Sequence, residues 1–332
     1  MADKNQRGWF SRQLKARTGP VAWLLYALVR TILALMQIFP IEWNLRTARL
    51  LARHVWHRTM PRHYNRAVAH LRLAYGDTLS DTQRQRIALR CLESTAMFAV
   101  ESICLPQSIN LSTWGRYIEA DGIEDALDVL LDGRGAILVT GHYGSFELMG
   151  HLLATLGFET VAVMRPLDNA YLNRYLVESR RVNNLSLIDK KGAMQSAEAC
   201  LKRGALLGFI ADQDAGKKGL FVDFFHSPAS TYKSIGLLAM QAELPIIVGY
   251  TRRINDTARY RVGVQRVIRP AEWKDKDDPL RWITQTYTAA IEEFVREEPD
   301  QYLWIHRRWK HQPRQRRAER PAGDAATVAS IA

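Results

Sequence analysis

Apolar positions along the chain fall into two regimes. Up to about Leu105 they recur at helical spacing, whereas from Glu124 onward helical stretches alternate with short apolar runs. Residues 21–41 form a nearly unbroken apolar segment, interrupted by Arg30. A helix over residues 64–75 ends at Gly76-Asp77. A second opens at Ser80-Asp81-Thr82-Gln83, whose serine and glutamine suit a capping box, and runs through Ile87, Leu92 and Phe98 to a stop at Leu105-Pro106. In the second regime the pattern predicts strands at residues 136–140, 160–164, 206–210, 246–250 and 302–305. Helices are expected at 126–131 and 146–156 and from about Gln195 and Ser234. No internal repeat is present. Such alternation predicts an α/β fold, a mixed central sheet flanked by helices, preceded by an N-terminal membrane-associated helix. The expected organisation is a basic segment and anchoring helix over residues 1–45 and one domain over 46–313. That domain divides into a helical section to 120 and an α/β core from 121, and a basic, disordered tail occupies 314–332.

The N-terminal pattern is that of membrane attachment. Lys4, Arg7, Arg12, Lys15 and Arg17 precede the apolar segment, which is long enough to cross a bilayer and whose basic flank would stay cytoplasmic. Arg30 would cost about 3 kcal/mol at the bilayer centre, which favours a tilted or interfacial helix with Arg30 snorkelling. The bland alternative is a buried core helix. With 46 Lys plus Arg against 34 Asp plus Glu, a net charge of +12, an anionic partner is expected, and no nucleic-acid motif accompanies the charge. Cys91, Cys104 and Cys200 lack metal-ligand spacing and read as buried, reduced thiols.

Candidate chemistry centres on Val139-Thr140-Gly141-His142-Tyr143-Gly144-Ser145-Phe146-Glu147, where a histidine at a strand end stands five residues ahead of a glutamate. A strand-to-helix turn would bring Glu147 back to the imidazole, so that one ring nitrogen is held and the other takes a proton from a hydroxyl. A core histidine beside an ordinary helix-start acid is the competing reading. No Gly-x-Ser-x-Gly elbow occurs, and Ser145 is expected to shape the turn or touch substrate; the acceptor's own hydroxyl then serves as nucleophile. Asp212-Gln213-Asp214 follows another strand, where two acids either organise a loop or hold a divalent ion. Arg165 after the 160–164 strand either binds substrate or pairs with Asp168. Phe221, Phe224 and Phe225 either line an acyl slot or belong to the core. His306 is a weaker base candidate without a suitably spaced acid.

Taken with Met164-Arg165-Pro166-Leu167-Asp168-Asn169, Arg180, Phe221-Val222-Asp223-Phe224-Phe225 and Gln301-Tyr302-Leu303-Trp304-Ile305-His306-Arg307-Arg308-Trp309-Lys310, these blocks resemble the bacterial lipid A biosynthesis acyltransferases over most of the chain. The resemblance implies a glycerolipid-acyltransferase-like fold at the cytoplasmic side of the inner membrane. It implies transfer of a fatty acyl chain from acyl-carrier protein, or acyl-CoA, to a hydroxyl of a lipid A precursor or related glycolipid, without metal or cofactor. It also implies catalytic roles for His142, Glu147 and Arg180, with adjacent Arg181 competing for the last. Substrate contacts are expected at Arg165, Asn169, Asp212, Asp214, Arg307 and Arg308. His226 departs from the family, which commonly has glycine or alanine after the paired aromatics. Two alternatives stand beside this. One is acylation of another membrane lipid (a phosphatidylinositol mannoside, an aminolipid or a glycerolipid), although glycerol-phosphate enzymes usually carry aspartate where Glu147 stands. The other is a non-enzymatic membrane-binding protein, which leaves His142, Glu147, Arg180 and Asp212 together unexplained.

Overall fold

The computed structural model of the protein describes residues 18–164, 166–181, 185–189 and 193–313. The basic residues Lys4, Arg7, Arg12, Lys15 and Arg17, the tail beyond Pro313 and Arg165 lie outside the described residues. Strands β1 (Ile118–Asp121), β2 (Ala136–Thr140), β3 (Thr160–Met164), β4 (Leu185–Asp189), β5 (Leu206–Ile210), β8 (Ile246–Arg253) and β9 (Tyr260–Ile268) form one sheet in the order β1-β9-β8-β2-β5-β3-β4. Every pairing is parallel except β8 with β9, which makes the sheet mixed, as the alternating pattern predicts. β2 is buried on both faces, and its five apolar or β-branched residues suit a central parallel strand.

The two faces of the sheet carry separate cores. Ile137, Val139, Val161 and Leu207 pack on one side with Ile291 and Phe294, while Ala136, Leu138 and Leu206 pack on the other with Leu148, Met149 and Leu152. Helices α1 (Pro20–Ile38), α2 (Ile41–Leu51), α3 (Pro61–Tyr75) and α4 (Asp81–Ser108) make up the helical section, and α5 (Glu124–Leu131) leads into β2. The capping box is present: Gln83 N donates to Ser80 Oγ at 3.3 Å and Ser80 N to Gln83 Oε1 at 2.8 Å. α4 runs three residues past Leu105, with Pro106 inside its last turn. α4 joins the sheet through Arg253 of β8, which forms a two-pronged ion pair with Glu101. Both side chains are at most 1% exposed, and the Nη2–Oε2 distance is 2.8 Å.

Besides β1, β4 and β9, which the apolar pattern does not predict, the structure departs from expectation at two segments near the histidine loop and the paired aromatics. Residues 302–305 form no strand: Tyr302 makes an isolated bridge to Tyr143 and Leu303 N donates to His142 O at 3.0 Å, so the segment braces the histidine loop. Phe221, Phe224 and Phe225 sit in and beside a two-stranded hairpin, β6 (Leu220–Phe224) and β7 (Ser227–Thr231), outside the main sheet. Phe225 and His226 both take positive φ at its tip, 51° and 56°, a conformation that left-handed hairpin turns require and that glycine or asparagine adopts more readily. Phe224 and Phe225 are buried against Trp309 and Trp304, so they are core and not an acyl slot.

Candidate active site

Thr140 ends β2 and Ile210 ends β5, and these two residues pair in register on neighbouring parallel strands. Positions two residues further on therefore emerge side by side at the carboxyl edge of the sheet, and they are His142 and Asp212. His142 Nδ1 lies 2.6 Å from Asp212 Oδ1, and the His142 backbone N–H donates to Asp212 Oδ2 at 2.9 Å. The carboxylate thus fixes both the ring and the peptide that carries it. The Asp212 side chain is 1% exposed and that of His142 11%. Burial by itself would raise the Asp212 carboxyl, but the facing imidazole and its hydrogen bond outweigh burial and hold it well below the usual carboxylate range. An ionised carboxylate only accepts, so Nδ1 carries a proton, and in the neutral imidazole Nε2 is then the nitrogen with the lone pair. Gln213 Nε2 lies 3.3 Å from that nitrogen.

The turn behind the histidine admits little variation. Gly144 has a φ of +53°, and a Cβ there would stand 2.0 Å from the Thr251 carbonyl oxygen, so this position accepts only glycine. Ser145 is buried, and its backbone N–H donates to the same carbonyl at 3.2 Å, consistent with a turn-shaping role. Phe146 stands edge-on to the imidazole with ring centroids 5.0 Å apart, and the His306 ring lies against it at 4.5 Å. Burial, reinforced by neighbouring His142, pushes His306 down to about 4, so it stays neutral at physiological pH.

Glu147 does not meet His142. It opens α6 (Glu147–Thr155) and turns to α7 (Ala170–Arg181), where Arg180 Nη2 donates to Glu147 Oε2 at 2.5 Å. The expected orienter is therefore occupied by an arginine, and Asp212, expected to bind substrate, takes its place on Nδ1. Arg180 is 13% exposed and also contacts Met164 Sδ at 3.8 Å. The side chain of Arg181 lies outside the described residues.

Other predicted contacts have structural partners. Asn169 is buried; its Oδ1 accepts from Tyr171 N and Leu172 N at the start of α7, and its Nδ2 donates to Ala22 O of α1 at 2.8 Å. Arg308 is also buried, with donors committed to Ser230 O and Thr231 Oγ1, both at 2.7 Å, and to Gln213 O at 3.2 Å. It clamps the Asp212 loop against β7. Asp214 lies 2.6 Å from His311 Nδ1 and accepts from Gly216 N, which makes it a loop organiser. Of the set, Arg307 is exposed.

Beside the loop that carries His142, a slot lined at one end by Phe146, whose ring meets the imidazole, runs under α6. Thr140, Phe146, Glu147, Arg180 and Ile210 stand at the end nearest the imidazole, and the remainder is lined almost entirely by apolar side chains of β2, β3, β4, β5 and α6. Sequence reasoning missed this slot because its walls come from strands whose order the sequence does not state. The His142–Asp212 partnership was missed for the same reason, although both residues follow an apolar run by two positions, which is the one signal available.

Comparison with known proteins identifies the family. A family profile described as bacterial lipid A biosynthesis acyltransferase matches residues 11–311. A lipid A biosynthesis lauroyltransferase of Escherichia coli is 26% identical over 71% of this chain and 75% of its own length. A lipid A biosynthesis palmitoleoyltransferase of the same species is 26% identical over 60% of this chain and 63% of its own length, just under two-thirds. A lipid A biosynthesis acyltransferase of Haemophilus influenzae is 21% identical over 68% of this chain and 69% of its own length.

Proposed function

Since the chain belongs to the bacterial lipid A biosynthesis acyltransferase family, we propose that it transfers a fatty acyl chain from a carrier thioester, acyl-carrier protein or acyl-CoA, to a hydroxyl of a lipid A precursor, with His142 as the general base. The observation that carries this reading is the imidazole of His142, held by Asp212 through Nδ1 beside an apolar slot, with Gln213 the one side chain hydrogen-bonded to Nε2 among the described residues. The acceptor hydroxyl gives its proton to Nε2 as its oxygen attacks the thioester carbonyl. Collapse of the tetrahedral intermediate breaks the carbon–sulfur bond, and the imidazolium returns the proton to the departing thiolate. Asp212 stabilises the imidazolium through Nδ1–H. Arg180, fixed by Glu147 at the slot mouth, supplies positive charge for the oxyanion or for an anionic group of either substrate. The test is incubation of the purified protein with acyl-carrier protein or CoA thioesters and a phosphorylated glucosamine disaccharide lipid. Product mass should rise by one acyl group. Acylation of a phospholipid in place of that acceptor would overturn the assignment.

Attachment to the inner membrane belongs to the same proposal. α1 is long and apolar enough to cross a membrane, yet one of its faces touches the protein along its length. Ala22 accepts from Asn169, the Tyr26 ring lies 6.0 Å from Tyr171, and Arg30 stands 4.1 Å over Tyr175. Leu33 is buried, and Met36 O accepts from Asn44 Nδ2 at 2.7 Å. Arg30 therefore stacks on an aromatic ring, which replaces the expected snorkelling. Trp23, Leu24, Leu28, Ile32, Leu35 and Ile38 are exposed on the outward side. A helix about 28 Å long that is seated on a folded body at both ends suits an in-plane position with this face in one leaflet. The variant Leu28→Glu/Ile32→Glu/Leu35→Glu should remain folded and lose binding to anionic vesicles at high salt. Undiminished binding would place the anchor elsewhere.

A further inference from the structure

The floor of the slot beside His142 is one face of four strands, and their register specifies its shape. Leu138 pairs with Gly208, Gly208 with Ala162, and Ala162 with Leu187, which gives a row of large, small, small and large residues across β2, β5, β3 and β4. A trough therefore runs along the strands between Leu138 and Leu187. The next row away from His142 carries Leu206, Thr160 and Leu185, all buried, and closes the floor. Gly150 of α6 roofs that closed end.

Nothing in the protein requires glycine at either position. Neither residue has a positive φ. A Cβ at Gly208 would come no closer than 3.6 Å, to the Val161 carbonyl oxygen, and one at Gly150 no closer than 3.8 Å, to Thr160 Cγ2, both ordinary contacts. Yet glycine in mid-strand or mid-helix is intrinsically destabilising. Gly144, by contrast, is fixed by backbone geometry. Missing side chains that no neighbour replaces, both lining one apolar slot, mark space kept for a ligand.

We propose that Gly208 and Gly150 set the length of acyl chain this protein accepts: the chain lies in the trough with its thioester at the His142 end, passes over Gly208 and ends beneath Gly150. The inference rests on the acyltransferase reading above and adds to it the residues that determine donor length. Gly208 lies two residues from the mouth, about 7 Å along the strand, whereas Thr160, under Gly150, lies four residues from Met164, about 13 Å. A side chain at 208 therefore truncates the slot more severely than one at 150.

The test measures kcat/KM for saturated acyl-carrier-protein donors from hexanoyl, which ends short of Gly208, to hexadecanoyl, with wild type, Gly150→Ala and Gly208→Val, alongside their melting temperatures. Binding of the matching free fatty acids is measured by calorimetry. Gly150→Ala should shift the preferred donor to a shorter chain while raising the melting temperature, because alanine favours the helix. Gly208→Val should lower kcat/KM for the longest accepted donor by about 10-fold or more, the scale of a lost methylene fit, and leave the shortest donor within about twofold. Equal loss for all donors, or an unchanged length profile, would overturn the proposal. Transfer without a length shift would remove the slot assignment and leave the acyltransferase reading intact. A length shift in fatty-acid binding without any transfer would do the reverse.

Discussion

Replacing His142 with alanine lowers turnover of acyl transfer by about two to four orders of magnitude, the usual contribution of a positioned general base, while the protein stays folded. The side chain stands at the end of a strand, in contact with Asp212, Phe146 and His306, and supports no core layer of its own. Because Asp212 acts through the imidazole, the double variant His142→Ala/Asp212→Ala should be scarcely slower than His142→Ala alone. Steady-state kinetics with one donor and one acceptor measure both. A double variant slower by the product of the two single effects would mean that Asp212 acts independently of His142.

The second large effect falls on stability. Glu101→Ala leaves the buried Arg253 without its carboxylate, with Ser94 Oγ at 3.2 Å, and should cost about 3–5 kcal/mol. Replacing both partners together, Glu101→Met/Arg253→Met, removes the charge that burial penalises and should recover most of that loss. Urea unfolding of the two variants makes the comparison. The pair joins α4 to β8, so the single variant should loosen the helical section from the sheet before the sheet itself unfolds. Unfolding of the single variant at the wild-type urea midpoint would show that the pair contributes little.

What the sequence discloses is governed by how local the determinants are. The capping box at Ser80 and Gln83 and the apolar strands at 136–140, 160–164 and 206–210 depend on neighbours in the chain, and they appear where the pattern predicts them. The site depends on which strands lie side by side. The five-residue spacing of His142 and Glu147 suggests a local pair, but α6 begins at Glu147 and directs that carboxylate to Arg180, 33 residues away. Asp212 reaches His142 across 70 residues because β2 and β5 are neighbours, a long-range fact whose local trace is only that each residue follows an apolar run by two positions. Asn169 and Arg308 illustrate the same limit. Both are polar residues in blocks that resemble functional motifs, and both spend hydrogen bonds on distant groups: Asn169, besides capping its own helix, on Ala22 O, and Arg308 on Ser230 O, Thr231 Oγ1 and Gln213 O. The positive φ of Phe225 and His226 is equally unmarked, since neither residue type signals a left-handed turn.

The central claim is that Asp212, and not Glu147, orients the catalytic imidazole. Its most direct test is the turnover of Asp212→Asn against Glu147→Gln under identical conditions. Asparagine at 212 preserves shape, but its amide can donate to Nδ1, which moves the ring proton to Nε2 and removes the lone pair that accepts from substrate. The account predicts that Asp212→Asn falls close to the level of His142→Ala, while Glu147→Gln, which only loosens Arg180, stays about 10-fold or more above it. Near-normal turnover of Asp212→Asn together with collapse of Glu147→Gln to the level of His142→Ala would contradict it.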